Sequence, residues 1–129
     1  MGSSYRKFYG VDILVSNSTY DAIHTQGIIC RKIDRIRVKG QNAVVEVYEL
    51  LGFDSDIDEN IQEDLILHHQ AIDSYYAGRW SESRDIFLRL KEKENLSTRI
   101  CNIYLERIES LDGKIEVKNW DGVYSHESK

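Results

Sequence analysis

Two periodicities divide the chain, one of two residues as far as Leu51 and one of roughly 3.6 residues beyond Asn60. In the first part, Val11-Asp12-Ile13-Leu14-Val15 follows Gly10 and is rich in β-branched side chains, which predicts a short strand. Ser16-Asn17-Ser18-Thr19 then offers side-chain oxygens to the first N–H groups of a helix, with Asp21 three residues after Ser18 at capping-box spacing. The pattern predicts a helix over about 18–24 that stops before Gly27. Two further strands are expected, Ile28 to Val38 and Ala43 to Leu51, joined through Lys39-Gly40-Gln41-Asn42. On the second of them Val45 and Val47 face one way and Val44, Glu46, Tyr48 and Leu50 the other. The wholly apolar face is expected to meet a core.

The acidic run Asp54 to Asn60 separates the two regimes and reads as a linker. Its Asp54-x-Asp56-x-Asp58 start has the beginning of a calcium loop, but Glu59 stands where a sharp turn needs Gly, and Leu65 where a bidentate Glu belongs. Three amphipathic helices are expected after it. One stripe runs through Ile61, Leu65, His68 or His69, Ile72 and Tyr76, and a second through Trp80, Ile86, Phe87 and Leu90 beyond Gly78. The third takes Ile100, Ile103, Tyr104, Ile108 and Leu111 ahead of Asp112-Gly113. Ala71, Gly78, Trp80, Phe87 and Leu90 resemble one tetratricopeptide repeat, with Ser83 in place of the usual Ala and no Pro anywhere to mark the repeat's end. One repeat cannot bury its own apolar faces, so it must lie on the third helix, the strands or another chain.

Charge adds an asymmetry. The 129 residues carry a net charge of −5, which argues against a nucleic-acid partner. Arg31, Lys32, Arg35, Arg37 and Lys39 nevertheless fall within nine positions, followed by Asp54, Asp56, Asp58, Glu59, Glu63 and Asp64, which suggests a locally positive surface in the first half. No apolar run approaches the roughly 20 residues of a membrane span, and MGSSYRKFYG has no signal-peptide core, so a cytoplasmic location is expected. Cys30 and Cys101 lack metal or redox spacing and read as reduced thiols in a strand and a helix. His68 and His69 point about 100° apart on a helix, poor geometry for one metal, and His24 and His126 have no partner at ligand spacing. Without a phosphate loop, a Cys cluster or a nucleophile elbow, local motifs alone give a small α+β module with a helical tail.

The ordered series is more specific than any of its parts. Tyr9-Gly10-Val11-Asp12-Ile13-Leu14-Val15-Ser16, Ser18-Thr19-Tyr20, Arg31-Lys32-Ile33-Asp34-Arg35-Ile36-Arg37-Val38-Lys39-Gly40 and Val45-Glu46-Val47-Tyr48-Glu49-Leu50 together resemble the C-terminal end of a class III adenylate/guanylate cyclase catalytic domain, over about residues 5–53. The Trp-containing repeat, Ile103-Tyr104-Leu105-Glu106-Arg107 and the terminal Trp120-Asp121-Gly122-Val123-Tyr124 with Ser128-Lys129 look like the extension that follows the cyclase domain in some bacterial membrane-bound cyclases.

The resemblance implies an α+β fold: residues 1–53 an incomplete ferredoxin-like cyclase domain of one short helix and three mainly antiparallel strands, 54–60 an acidic linker, and 61–129 an α-helical tetratricopeptide-like tail. It also implies head-to-tail pairing of two catalytic domains around a nucleoside triphosphate. In the family, two Mg or Mn ions held by a pair of aspartates help the ribose 3′-hydroxyl attack the α-phosphate, releasing pyrophosphate and a cyclic nucleotide. Lys39 matches the family's polyphosphate-contacting lysine. The metal aspartates, the purine-reading residues and the transition-state Asn and Arg have no counterparts in this sequence. The chain is therefore expected to bind no metal and to cyclise nothing by itself, its partner being the missing cyclase segment or a second cyclase domain. Met1-Gly2-Ser3-Ser4 is compatible with a native start after a gene split, with a wrongly assigned start, and with the cut end of a longer, membrane-anchored parent whose cytoplasmic end this would be. The rival reading is a non-catalytic interaction or regulatory module that engages a protein partner through its helical tail.

Overall fold

The computed structural model describes residues 3–38 and 42–126, excepting the Ser3 side chain. The fold is mixed α+β and divides into two compact units. One holds the described residues up to Ile57 together with 123–126, and the other is Asp58–Gly122.

In the first unit the order is α1 (Ser3–Tyr9), β1 (Leu14–Ser16), α2 (Asn17–Ile23), β2 (Ile28–Arg37) and β3 (Val44–Phe53), with β4 (Tyr124–Ser125) supplied from the far end of the chain. The sheet order is β1-β3-β2-β4. β3 pairs antiparallel with both β1 and β2, while β4 runs parallel to β2. Among the described residues of 1–53 the three expected strands are present and antiparallel, while the one expected helix is corrected to two, and β4 joins them from the stretch read as helical tail. α1 and β4 are too short to announce themselves by periodicity, and β4 exists only because a neighbour takes it up. α2 continues into a 3-10 turn at His24–Gln26 and ends at Gly27, as the sequence predicts.

Capping differs in detail from the expected Ser18/Asp21 box. Ser16 is the N-cap but its hydroxyl bonds Ser18 Oγ at 3.0 Å rather than a backbone N–H, and Asn17 Oδ1 accepts from Glu46 N at 3.3 Å, tying the helix start to β3. The hairpin of β2 and β3 shifts register twice, between Ile29 and Cys30 and between Lys32 and Asp34. At the second shift Lys32 faces Tyr48 and Asp34 faces Val47, so Ile33 is the extra residue of a bulge. Tyr9, Val11, Leu14, Ile33, Ile36 and Val47 form the buried core. The opposite face of β3 is covered too, because Tyr20 of α2 stacks on Tyr48 with centroids 4.1 Å apart.

The second unit opens within the stretch read as a linker. Asp58 caps α3 (Glu59–Tyr76) by accepting from Asn60 N at 2.7 Å, and α4 (Trp80–Lys93) and α5 (Thr98–Leu111) follow. Three contacts fix α3 and α4 as an antiparallel hairpin: Ser83 Oγ donates to Ala71 O at 2.8 Å, the His68 and Phe87 rings lie 6.1 Å apart, and Lys93 reaches Asp64. Asp64 is almost wholly buried. Asn95 Nδ2 donates to its Oδ2 at 2.8 Å, and Lys93 Nζ lies 2.9 Å from its Oδ1 as an ion pair without hydrogen-bond alignment. Tyr104 of α5 stacks on Phe87 and meets Tyr75 edge to face. Tyr75, not the predicted Tyr76, therefore turns to the core, one residue around the helix from the expected stripe.

Gly78 lies at φ +77° between α3 and α4, where a Cβ would come within 2.9 Å of Val117 Cγ1. Gly27 has the same φ with nothing within 4 Å of its missing Cβ. Gly27→Ala is expected to cost about 1 kcal/mol of backbone strain alone, and Gly78→Ala about 2 kcal/mol or more because the contact adds to it. Denaturant melts of the two variants test the difference; equal costs would remove the Val117 contact from the account.

Candidate functional site

Four of the five cationic residues singled out by the sequence, Arg31, Lys32, Arg35 and Arg37, lie on β2, and the hairpin pairs three of them. Arg31, only 2% exposed, faces Glu49 across the ladder, with Nε at 3.1 Å and Nη2 at 2.8 Å from Glu49 Oε1. Glu46 lies between two partners, 3.9 Å from Lys32 Nζ and 3.6 Å from Arg35 Nη2. The locally positive surface expected from residue order is therefore offset for three of its five members by cross-strand carboxylates. Strand pairing brings together charges that are more than ten residues apart in sequence. Arg37 continues the strand to Val38. Lys39, the candidate phosphate-contacting residue, lies outside the described residues, as do Gly40 and Gln41.

Beside these ion pairs stands an aromatic column. Tyr20 stacks on Tyr48 at an interplanar angle of 3° and on His24 with centroids 4.5 Å apart, while His24 Nδ1 sits 2.9 Å from Tyr20 O. The Tyr48 hydroxyl points at Glu46 Oε1, 3.5 Å away. Burial first, and then the negative charge of Glu46, push the Tyr48 phenol up to about 12. Burial likewise raises the Cys30 thiol, which makes it a poor nucleophile. Cys101 is a free, buried thiol in α5, as read from the sequence.

The histidines divide by environment. His24 is exposed at the end of the column, and His68 is buried on α3 with its ring 5.4 Å from that of His69. Among the described residues no three His, Cys, Asp or Glu side chains gather as ligands for a metal ion. Sequence reasoning missed one constellation altogether. Tyr9, Asp34 and His126 meet in the buried part of the first unit, from three segments up to 117 residues apart. The only signal was a polar residue in the buried half of a strand, and that signal does not name its partners.

No protein-family model, no curated protein and no solved structure matches the chain. No helix of the described residues is long and apolar enough to cross a membrane.

One titration follows from this geometry. Tyr48 should ionise near pH 12, and the amplitude of the late step should fall by one tyrosine in Tyr48→Phe. Because the folded value lies above the usual 10, the neutral phenol favours the fold fully below pH 10, and stability falls by about 2 kcal/mol as pH rises toward 12. Absorbance near the tyrosinate band and alkaline melts read both effects. A late step of unchanged amplitude in Tyr48→Phe would overturn the assignment.

Proposed function

We propose that this chain is the C-terminal portion of a class III nucleotide cyclase catalytic domain followed by a tetratricopeptide-like tail, and that it contributes to a nucleoside triphosphate site completed by other cyclase segments. The observation that carries the reading is the ordered match over about residues 5–53, whose separate stretches fall in chain order on β1, α2, β2 and β3. Within it, Lys39 follows the end of β2 by two residues. A lysine suits the polyphosphate because its ammonium is a compact charge on a flexible stem and can follow several phosphate oxygens. Arg31, Lys32 and Arg35 are engaged by Glu49 and Glu46, so the reading gives them structural work and leaves the phosphate to Lys39.

The sheet is read as part of a ferredoxin-like domain, and the tail as one tetratricopeptide-like hairpin. The second reading is supported by the burial of Ala71, Ser83, Trp80, Phe87 and Leu90 and by the left-handed backbone of Gly78. The reading assigns the family's Mg or Mn ions to aspartates of the completing segment, because the matched stretch has no counterpart of them. On this reading the isolated chain makes no cyclic nucleotide, and its partner is the rest of the domain or a second cyclase domain.

The test is to clone the whole open reading frame that contains these residues and to assay its product for conversion of ATP and GTP to cyclic nucleotides. Lys39→Ala should lower kcat/KM by about 100-fold, the usual scale for one lost charge-stabilising group. Arg35→Ala should change it by less than about threefold, as expected of a half-exposed ion pair outside the site. A full-length product without cyclase activity, or one indifferent to Lys39→Ala, would sink the reading.

A further inference from the structure

The C-terminal strand is too short to hold itself in place. β4 pairs only Tyr124 with Ile36 and Ser125 with Arg37, and His126 N adds one bond to Arg37 O at 3.2 Å. The net gain from each backbone bond of this kind is comparable to the entropy lost in fixing one residue. Something besides the ladder must hold residues 123–126 on the edge of β2.

Tyr124 stacks on Phe8 with centroids 6.2 Å apart, and the more deeply buried anchor is the His126 ring. It is 8% exposed and surrounded by four aromatic rings, with centroid distances of 4.9 Å to Tyr5, 5.0 Å to Phe8, 5.8 Å to Tyr9 and 4.8 Å to Tyr124, all edge-on. Its Nε2 lies 2.9 Å from Tyr9 Oη, which donates to Asp34 Oδ2 at 2.5 Å. Tyr9 and Asp34 are both fully buried, and Asp34 Oδ1 accepts from Arg35 N at 2.9 Å. A phenol has one proton, and Tyr9 gives it to Asp34. The bond to His126 therefore requires the proton on Nε2, so that donors run His126 to Tyr9 to Asp34. A buried carboxylate is costly unless its bonds are made, and this site directs Asp34, through the Tyr9 phenol, at Nε2 of the His126 ring.

We propose that Tyr5, Phe8, Tyr9 and Asp34 form a recognition site for the imidazole of an extended, histidine-bearing strand, which the chain's own Val123–His126 fills in cis. The ring supplies recognition, and the edge of β2 that β4 covers supplies the backbone pairing, as in other strand-addition sites. The site stands on the geometry of this unit alone and does not depend on the cyclase reading.

Chemical rescue tests it on the full chain. In His126→Ala, amide exchange at residues 123–126 should accelerate by at least about tenfold, the mark of local opening, while protection of α3, α4 and α5 stays unchanged. Millimolar imidazole should restore protection in His126→Ala and fail to do so in Tyr9→Phe/His126→Ala, where the acceptor hydroxyl is gone. Nitrogen NMR of the wild-type chain, which needs no variant to fold, should show His126 carrying its proton on Nε2. Unchanged exchange in His126→Ala, equal rescue without the Tyr9 hydroxyl, or an Nδ1-only proton would each overturn the site. Protection at 123–126 that falls on dilution would place the strand in a second copy and overturn its filling in cis.

Discussion

Strand β2 buries an arginine and an aspartate within four residues of each other, and the unit around it is arranged to satisfy both. Arg31 and Asp34 are at most 2% exposed. An unpaired charge in such a place would cost more than any one apolar contact returns. β3 must therefore present Glu49 opposite Arg31, which fixes the register on one side of the Ile33 bulge. α1 must bring the Tyr9 hydroxyl to Asp34, which fixes how that helix enters the core. The bulge itself lets Ile33, Asp34 and Ile36 all be buried, where strict alternation would have turned one of them to solvent.

The helical unit solves a different problem. Two amphipathic helices have more apolar surface than they can hide from water by themselves. Here α5 covers the hairpin by stacking Tyr104 on Phe87, and Trp120 returns to donate its indole N–H to Tyr75 O at 2.8 Å, on the last turn of α3. Tyr75, Trp80 and Trp120 then meet edge to face, the arrangement that aromatic quadrupoles favour. At the other end of the hairpin, Asp64 ties the turn after α4 to α3 through Asn95 and Lys93. Glu94, the one non-glycine with positive φ among the described residues, sits in that turn.

These arrangements bear on what the cationic run of β2 can do. Read along the chain, five basic residues look like a phosphate-binding surface. Folded, Arg31 is an internal ion pair, and Lys32 and Arg35 share Glu46. A carboxylate already paired to a cation competes with any phosphate for it, so density of positive charge in sequence is a poor measure of free positive charge in space.

The sequence by itself determined what depends on neighbours a few residues apart: the hairpin of β2 and β3, the helix that stops at Gly27, the three later helices, and a mixed α+β class. Each follows from side-chain periods or from one turn residue, and these are local properties. Only the tertiary structure decided the parallel strand at Tyr124–Ser125, the inward face of Tyr75 over Tyr76, the pairing of Arg31 with Glu49, and the meeting of Tyr9, Asp34 and His126. A two-residue strand has no period to read, and a buried charge requires a partner without saying where along the chain it lies. Those choices were made when distant segments were brought into a common interior, where low dielectric and lost water made one set of partners far better than the rest.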